Sequence, residues 1–412
     1  MYSLAIYLYM FAANVAALFG NRKARLMMRG HRETWRTLRD KIRPEDRPVW
    51  FHAASLGEFE QGRVLMERLR RERPDEKILL TFFSPSGYEV RKDYEGADIV
   101  CYLPFDTMLN ARKFLHLAHP RMAVFIKYEF WADYLYQCHR HGVPVYSVSS
   151  IFRHGQIFFR RWNCGYSVVL KWVTHFFVQN EESRRLLAAK GLTNVTVTGD
   201  TRLDRVVQIK EAARPLPLIE KFTADGAPVF IAGSSWPPDE DVYIPYFANK
   251  PAWRLIVATH EVNPERTAAL RARLEAAGRR VALYSELQAD AAAAEGADTL
   301  LIDCFGLLSS IYRYATVAYI GGGFGVSIHN VPEAAVYGVP VIFGPVNQKF
   351  QEAQVLKACG GAFEIDGADA FAALMDRFEA DPAAREQAGR AAGDYIARSS
   401  GAACRIYQAI FA

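Results

Sequence analysis

Two carboxylates directly follow short apolar runs in the first half of the sequence. Glu58 lies in FHAASLGEFEQ, residues 51–61, and Glu129 lies with Lys127 in FIKYEFW, residues 125–131. A carboxylate at the end of a strand can accept a proton from a substrate or donate one to it. Each also has a purely structural explanation, because Glu58 suits the first turn of a helix and Glu129 could simply pair with Lys127. The residues alone leave both explanations open.

A glycine-rich segment in the second half carries the most specific pattern. AYIGGGFGVSIHNVPEAAVYGVPVIFGP, residues 318–345, predicts a strand, a glycine loop, a helix beginning near Val331 or Pro332, and a second strand. The glycines permit close backbone approach, and a helix start attracts an anion such as phosphate. Glu333 in the first turn, beside Asn330, could accept hydrogen bonds from a ribose diol. Alternatively, the glycines only form a tight turn and Glu333 caps the helix.

Three further loops of the second half follow predicted strands and are candidate walls of a nucleotide pocket. They supply Thr259 and His260 in VATHEVNPER, Phe305, Gly306 and Leu307 in IDCFGLLSSIY, and Ser234 in AGSSWPPDE. Ser234 precedes a helix-start signature, so it could hold phosphate or cap the helix. Two strand-end carboxylates in one domain and a nucleotide-type pocket in the other favour acid and base chemistry on a sugar.

Several other function classes lack their motifs. The sequence has neither GxGxxG followed by an acidic residue about twenty positions on nor GxxxxGK[ST], which argues against hydride transfer and P-loop phosphoryl transfer. His52, His260 and His329 lack the spacing of metal ligands, so no metal site is predicted. The six cysteines form no CxxC pair and are expected to be reduced, cytoplasmic thiols; they are Cys101, Cys138, Cys164, Cys304, Cys359 and Cys404.

The elements that must position these residues are predicted from residue 48 onward. Short β-branched and aromatic runs alternate with helical stretches, which is typical of doubly wound α/β domains with parallel sheets. We predict an N-terminal Rossmann-like domain over residues 48–210, a linker over 211–227 and a second such domain over 228–412. The last helix, about residues 382–411, is expected to cross back over the first domain. Two such domains facing each other across a cleft would place their sites at the carboxyl ends of the strands.

The N-terminus predicts attachment to a membrane. Residues 1–20 contain no charged side chain, and a helix of that length would be roughly 30 Å long, about the thickness of a bilayer core. Residues 21–47 contain ten Lys or Arg against four Asp or Glu, a basic juxtamembrane segment that marks the cytoplasmic side. A helix lying on the membrane surface and a cleaved signal peptide are alternatives. Nucleic-acid binding is not predicted, because no reader motif accompanies the basic segment.

Together these segments resemble the 3-deoxy-D-manno-octulosonic acid (Kdo) transferases of Gram-negative bacteria, which are membrane-associated glycosyltransferases of GT-B fold. The resemblance covers essentially the whole chain. It rests on the apolar start with its basic continuation and, in order, on HAASLGE, KYEFW, VTGDTRLD, the block from the glycines to FGP, and NQKFQEA.

The resemblance implies transfer of Kdo from CMP-Kdo to the glucosamine disaccharide of a lipid A precursor, lipid IVA, in lipopolysaccharide biosynthesis. It implies an inverting, metal-independent reaction with no cofactor beyond the donor substrate, at the cytoplasmic face of the bacterial inner membrane. Glu58 matches the general base, and Glu129 with Lys127 matches an acid needed near the sugar. The cytidine nucleotide would be met by Thr259, His260, Phe305, Gly306, Leu307, Asn330, Val331, Pro332 and Glu333.

A few positions depart from the family pattern. Thr259 stands where a basic residue is common, SIHN replaces Gly-Gly-His-Asn, and Ala132 replaces a frequent proline. Arg202 in VTGDTRLD stands where lysine is common, and either residue could offset phosphate charge. Two rival functions remain: another GT-B sugar-nucleotide enzyme, such as a UDP-GlcNAc epimerase or a lipid disaccharide synthase, and a non-catalytic, membrane-tethered nucleotide-binding protein.

Overall fold

Each half of the chain forms its own parallel β-sheet in the computed structural model, which describes residues 2–160 and 165–411. The chain divides into two compact domains. The first comprises Met1–Arg205 and Ser400–Ala412, and the second comprises Val206–Ser399.

The first domain alternates strands and helices after two N-terminal helices. Its strands are β1 (Val49–Ala53), β2 (Ile78–Phe82), β3 (Ile99–Tyr102), β4 (Met122–Ile126), β5 (Val145–Ser150), β6 (His175–Val178) and β7 (Val195–Val197). Its helices are α1 (Tyr2–Leu18), α2 (Arg22–Lys41), α3 (Leu56–Glu72), α4 (Pro85–Arg91), α5 (Met108–Ala118), α6 (Ala132–Arg140), α7 (Glu181–Ala188) and the start of α8 (Thr201–Ala212), with two 3-10 helices, Ile157–Phe159 and Tyr166–Trp172.

The second domain repeats this alternation. Its strands are β8 (Val229–Ser235), β9 (Arg254–Thr259), β10 (Val281–Leu283), β11 (Thr299–Ile302), β12 (Val317–Ile320), β13 (Val341–Phe343) and β14 (Ala362–Glu364). Its helices after α8 are α9 (Pro217–Phe222), α10 (Pro237–Phe247), α11 (Pro264–Ala276), α12 (Tyr284–Ala289), α13 (Leu308–Ile311), α14 (Pro332–Ala335), α15 (Gln351–Ala358), α16 (Ala368–Ala380) and α17 (Pro382–Ser399), with 3-10 helices at Ala291–Ala294 and Tyr312–Tyr314.

Both sheets have seven parallel strands. Their orders are β3-β2-β1-β4-β5-β6-β7 and β10-β11-β9-β8-β12-β13-β14. In the first sheet Val49 of β1 pairs with Ile78 on one side and with Met122 on the other. Strands β1, β2 and β4 are buried along their whole length, because helices cover both faces of a parallel sheet. The predicted doubly wound α/β class with parallel sheets is confirmed in both halves.

The N-terminal segment differs from the single membrane-crossing helix expected over residues 1–20. Within the described residues, no helix on its own combines the length and apolarity that a membrane crossing requires. Helices α1 and α2 meet the criterion only as a pair, and the chain bends by 117° between them.

Helix α1 instead rests on the first domain by one face. Ala13 packs with Met27 and Phe105, and Ile6 and Met10 lie against the same cluster. The opposite side of α1 remains apolar and exposed, with Leu4, Leu8 and Phe11 at least 60% accessible to solvent. At the start of the helix, the Tyr2 hydroxyl donates a hydrogen bond to the Asp106 carboxylate.

The segment that we expected to be a linker is partly helical, and the expected last helix is broken. Residues 211–227 include the end of α8 and all of α9. Instead of one helix over residues 382–411, α17 ends at Ser399 and α18 (Ala402–Phe411) follows after Gly401, whose φ of 88° suits glycine. Helix α18 belongs to the first domain, where Ile406 and Phe411 join its core.

Candidate active site

The predicted acid and base residues of the first domain converge at one edge of its sheet. Strand order reverses between β1 and β4, because the chain adds β2 and β3 on one side of β1 and then β4 on the other. A crevice opens at the carboxyl ends of the strands at such a switch point. Glu58 follows β1, and Lys127 and Glu129 follow β4, so that the charges of all three side chains interact.

Glu58 lies in the first turn of α3, with its carboxylate turned back toward the end of β1. Its Oε2 accepts a hydrogen bond of 2.6 Å from the backbone N–H of Ala54. The residue is only 7% exposed. Burial raises the pKa of Glu58, while the positive charge of Lys127 and the backbone N–H groups of Ala54 and Ser55 act in the opposite direction. A carboxylate whose pKa is raised toward neutrality is suited to accept a substrate proton.

Glu129 is the more strongly perturbed carboxyl group of the pair. Burial, together with the negative charge of Glu58, raises the pKa of Glu129 to about 8, against the opposing effects of Trp131 and Lys127. Two interacting carboxyl groups of this kind titrate as a unit. Burial thus raises the pKa of both carboxyl groups, that of Glu129 to about 8.

A buried imidazole, His52, lies beneath Glu129 at the end of β1. Its Nε2 accepts a hydrogen bond of 3.1 Å from the indole N–H of Trp131, which places the ring proton on Nδ1. Nδ1 then donates to Thr81 Oγ1 at 2.9 Å. Burial lowers the pKa of His52 to about 3, so its contact of 3.9 Å with Glu129 is not an ion pair at neutral pH.

Sequence reasoning assigned no catalytic or positioning role to His52 or Trp131. Both lie inside the quoted motifs HAASLGE and KYEFW, and that position was the signal that could have found them. Their hydrogen bond joins the end of β1 to the loop after β4. The pair therefore holds together the two segments that carry Glu58 and Glu129.

Lys127 has a backbone conformation that L-residues seldom adopt. Its φ is 61°, in the left-handed region. Its carbonyl accepts hydrogen bonds from Ser150 Oγ at 2.6 Å and Ser147 Oγ at 3.2 Å, and its N–H donates to Val148 O at 2.8 Å. Strained backbone held by several hydrogen bonds is common at functional sites. Here it turns the chain sharply between the end of β4 and Glu129.

In the second domain, four of the predicted nucleotide-binding residues line one cavity. Strand order reverses between β8 and β12, and the cavity of about 240 Å³ opens at the loops that follow them. The residues are Ser234, His260, Asn330 and Glu333. Asn330 Nδ2 donates a hydrogen bond of 2.6 Å to Glu333 Oε1, which orients both side chains. Ser234 has a φ of 53°, a second left-handed residue at a strand end.

Three aromatic rings stack beside this cavity. The Trp236 indole N–H donates a hydrogen bond of 3.2 Å to His329 Nε2, and His260 stacks on both rings, with centroid distances of 4.6 and 4.3 Å. Burial, followed by the nearby His260, lowers the pKa of His329, with Asp239 acting in the opposite direction. Sequence reasoning missed Trp236 and His329 as neighbours of His260, because their contact joins three separate loops.

Comparisons with known proteins relate most of the chain to one group of enzymes. Residues 24–205 match the family model described as 3-deoxy-D-manno-octulosonic-acid transferase (kdotransferase). The Kdo transferase of Bordetella pertussis is 29% identical over 384 residues, covering 88% of this chain and 86% of the relative. Over most of its length the chain is therefore similar to Kdo transferases. The Kdo transferase of Aquifex aeolicus is 24% identical over 324 residues, covering 77% and 82% of the two chains.

A solved structure of an enzyme that is not named a Kdo transferase shares the two-domain architecture. UDP-GlcNAc 2-epimerase from Neisseria meningitidis, bound to UDP-GlcNAc, aligns with a TM-score of 0.58 over 85% of this chain and 99% of its own. At 13% identity this likeness supports only the two-domain fold. The relatives that match most of this chain are named Kdo transferases, and the similarity identifies the protein as a glycosyltransferase.

The glycine loop at residues 321–323 is packed against protein. A Cβ on Gly321 would lie 2.2 Å from Ser234 O, and one on Gly323 would lie 2.6 Å from Gly344 Cα. Gly322 has a φ of 92°, and its N–H donates to Asp239 Oδ2 at 2.9 Å. The glycines therefore allow backbone segments of the domain to pack closely.

The helix expected to begin near Val331 or Pro332 begins at Pro332, as predicted, but it is too short for the predicted attraction of an anion. Helix α14 has only four residues, so it has little dipole with which to attract phosphate. Val331 and Pro332 are buried, so their side chains pack inside the domain and do not line the cavity. Their packing instead places Asn330 and Glu333 on either side of the turn.

The other predicted nucleotide contacts lie around the cavity and do not line it. Thr259 Oγ1 donates to Glu261 O at 2.8 Å. Phe305 is 76% exposed, and Gly306 and Leu307 lead into α13, whose first residue, Leu308, does line the cavity.

Arg202 lies in the first domain, not among the nucleotide-binding loops of the second. Its guanidinium forms an ion pair of 2.7 Å with Asp200. That pairing partly neutralises the charge that we had predicted to offset phosphate.

The cysteines and the possible metal ligands need only brief mention. The five cysteines within the described ranges are free thiols, and Cys164 lies outside them. Across residues 2–160 and 165–411, no three His, Cys, Asp or Glu side chains gather as metal ligands would.

Proposed function

We propose that this protein is a Kdo transferase, which moves Kdo from CMP-Kdo to the glucosamine disaccharide of a lipid A precursor, lipid IVA, in lipopolysaccharide biosynthesis. The proposal rests mainly on one observation, the two interacting carboxyl groups of Glu58 and Glu129 that follow the ends of β1 and β4. Glu58 is buried and accepts a hydrogen bond from Ala54 N–H, and the pKa of Glu129 beside it is raised to about 8, so we take Glu58 as the ionised member of the pair and Glu129 as the protonated one. A site built in this way separates one base from one acid within a single crevice.

In the proposed mechanism Glu58 accepts the proton from the primary hydroxyl of the acceptor. The oxygen attacks C2 of Kdo as the bond from C2 to the CMP phosphate oxygen breaks, through an oxocarbenium-like state. The attack comes from the face opposite the departing phosphate, so the anomeric configuration inverts in one step. A positioned base contributes about 10²- to 10⁴-fold to the rate.

Protonated Glu129 and Lys127 complete the proposed site. Glu129 can donate a hydrogen bond to an anionic or carbonyl oxygen of Kdo, because burial and Glu58 raise its pKa to about 8. Lys127 contributes a positive charge close enough to favour the ionised form of both carboxyl groups and so lower the pKa of each. A cation in this position also stabilises negative charge that develops on a leaving group.

The proposed donor site is the cavity of the second domain. Asn330 and Glu333 offer an amide and a carboxylate to the cytidine nucleotide, and His260 and Ser234 offer polar groups to its phosphate. We propose that these groups act without a metal ion and without a further cofactor. Chelation by EDTA should then leave the rate unchanged.

We further propose that the protein acts at the cytoplasmic face of the bacterial inner membrane and does not bind nucleic acid. Support comes from the exposed apolar side of α1 and the basic residues 21–47 that follow it. An apolar helix face next to basic residues is typical of segments that lie in a membrane interface. Binding at the membrane would raise the effective concentration of a lipid acceptor.

The test is a reconstituted transfer reaction. Purified full-length protein, CMP-Kdo and the tetraacyl lipid A precursor should yield a lipid heavier by Kdo, resolved by mass spectrometry, with inverted configuration shown by NMR. CMP, but not UDP, should raise the unfolding temperature. Release of CMP without any Kdo-modified lipid, or protection by UDP instead, would overturn the proposal.

A further inference from the structure

A basic groove lies at the amino-terminal edge of the first domain's sheet, whereas Glu58 and Glu129 lie at the carboxyl-terminal edge. The groove has a volume of about 1130 Å³. Its walls are the end of α2, helix α5 along its length and the loops that precede β1, β4 and β5. Neither the sequence motifs nor the proposed transfer reaction uses it.

The charges that line the basic groove are all positive. Four cations line it, Arg39, Arg47, Arg112 and Lys113, together with three histidines, and no Asp or Glu is among its lining residues. None of the four cations forms an ion pair within the part of the chain that the structure describes. At the same edge of the sheet, by contrast, Arg121 pairs with Glu76 at 2.9 Å and Lys77 with Asp46 at 2.5 Å.

Helix ends explain only part of this charge. Cations commonly occupy the last turn of a helix, where they complement its dipole, and Arg39 lies in the last turn of α2. Arg112 and Lys113 lie in the middle of α5, however, and Arg47 lies in a loop. Like charges gathered without a counter-charge repel one another and favour binding of an anion.

The basic groove also has an apolar side. Leu38 and Ile42 form buried parts of its wall, and Leu109 at the start of α5 is 75% exposed. An exposed leucine beside unpaired cations matches a ligand with an anionic head and a hydrocarbon portion. A free phosphate would make use of the cations alone.

We propose that the basic groove binds the phosphate headgroup of an anionic membrane lipid, with Leu109 against the beginning of an acyl chain. The inference rests on the proposed location of the protein at a membrane surface and adds a lipid-binding site distinct from α1. The positive groove and the negative lipid phosphate are complementary in charge, and basic residues near a bilayer each strengthen such binding.

The experiment measures partition of the full chain onto vesicles at constant ionic strength. One set of vesicles contains phosphatidylcholine alone, and the other contains about one third phosphatidylglycerol, which supplies the anionic surface. The groove variant combines Arg47→Gln, Arg112→Gln and Lys113→Gln. A control variant combines Arg71→Gln, Arg185→Gln and Lys190→Gln, which removes the same charge from exposed positions of the first domain outside the groove. All six positions are exposed, and unchanged thermal unfolding would verify the fold of both variants.

We expect the groove variant to lose on the order of 10- to 100-fold in partition onto the anionic vesicles, and the control variant to lose less than about threefold. Equal losses in the two variants would overturn the inference, because net charge alone would then explain binding. Displacement from the vesicles by millimolar inorganic phosphate, lost in the groove variant, would overturn it in favour of a free anion. Failure of the wild-type protein to bind either vesicle would instead refute the proposed membrane location together with this inference.

Discussion

Substituting Glu58 by glutamine should remove the base and preserve its buried hydrogen bond. The amide oxygen of glutamine can still accept the N–H of Ala54, which the carboxylate holds at 2.6 Å. Alanine would leave that buried donor without its acceptor, at a cost of about 1 to 3 kcal/mol in folding free energy. Glu58→Gln therefore separates loss of the base from loss of structure.

The expected loss of turnover follows from the role assigned to Glu58. A general base contributes about 10²- to 10⁴-fold, equivalent to roughly 3 to 5 kcal/mol of activation free energy. CMP binding should be unchanged, because the donor residues belong to the second domain. The assay is initial-rate formation of the Kdo-modified lipid, with CMP affinity measured separately by calorimetry.

The pH profile provides a second readout. Burial raises the pKa of Glu58. As the solution is acidified, wild-type turnover should therefore begin to fall at a higher pH than it would if the base were a glutamate with an ordinary pKa. This acid limb should be absent from the residual activity of Glu58→Gln. Glu60→Gln is the matched control, since Glu60 lies in the same helix and its carboxylate pairs with Arg63 and Arg91. Near-normal turnover in folded Glu58→Gln, or an equal loss in Glu60→Gln, would refute the reasoning.

Three further predictions concern residues around the two sites. Burial raises the pKa of Glu129 to about 8, so its contribution to stability is full below the ordinary glutamate pKa and is lost as pH rises toward 8. As pH rises from about 5 to about 9, the unfolding free energy of Glu129→Gln should therefore increase relative to that of the wild type by on the order of a few kcal/mol. Urea denaturation at several pH values tests this, and a difference that does not change with pH would contradict it. His260→Gln should weaken CMP binding about tenfold and leave cytidine binding unchanged, because His260 would contact the phosphate and no Lys or Arg lines the described cavity to replace it. Equal losses of affinity for CMP and cytidine in calorimetry would exclude a phosphate contact. Tyr2→Phe removes the hydrogen bond to the Asp106 carboxylate, which also accepts hydrogen bonds from the N–H groups of Asp133 and Tyr134. The substitution should lower the free energy of unfolding by about 1 to 3 kcal/mol. An unchanged midpoint of urea denaturation would show that this hydrogen bond does not secure α1.

The strands could be predicted because their signal is local. Buried parallel strands appear as short runs of β-branched and aromatic residues, and β1, β2 and β4 are buried throughout. The same runs showed which residues follow the ends of strands, and these residues include Glu58, Glu129 and His260. Strand order was not visible in the sequence, although it places the loops after β1 and β4 side by side.

Helix lengths were less predictable, because tertiary packing decides where they end. The expected helix after the glycine loop is the single turn of α14, in which Val331 and Pro332 are drawn into the core. The expected last helix breaks at Gly401, and α18 joins the core of the first domain. In each case a local pattern favoured helix, but burial of a neighbouring apolar residue determined where the helix stopped.

The sequence by itself determined the α/β class, the strand-end positions of the carboxylates and the similarity to Kdo transferases, because each depends on the order of residues along the chain. Only the tertiary structure decided that His52 bonds to Trp131, that Trp236 and His329 form a surface for His260, and that Arg202 pairs within the first domain. These contacts join residues that are distant in sequence, so they exist only once the sheets have formed. Burial acts in the same way: it raises the pKa of Glu129 to about 8 only after the fold has removed water from around the carboxyl group.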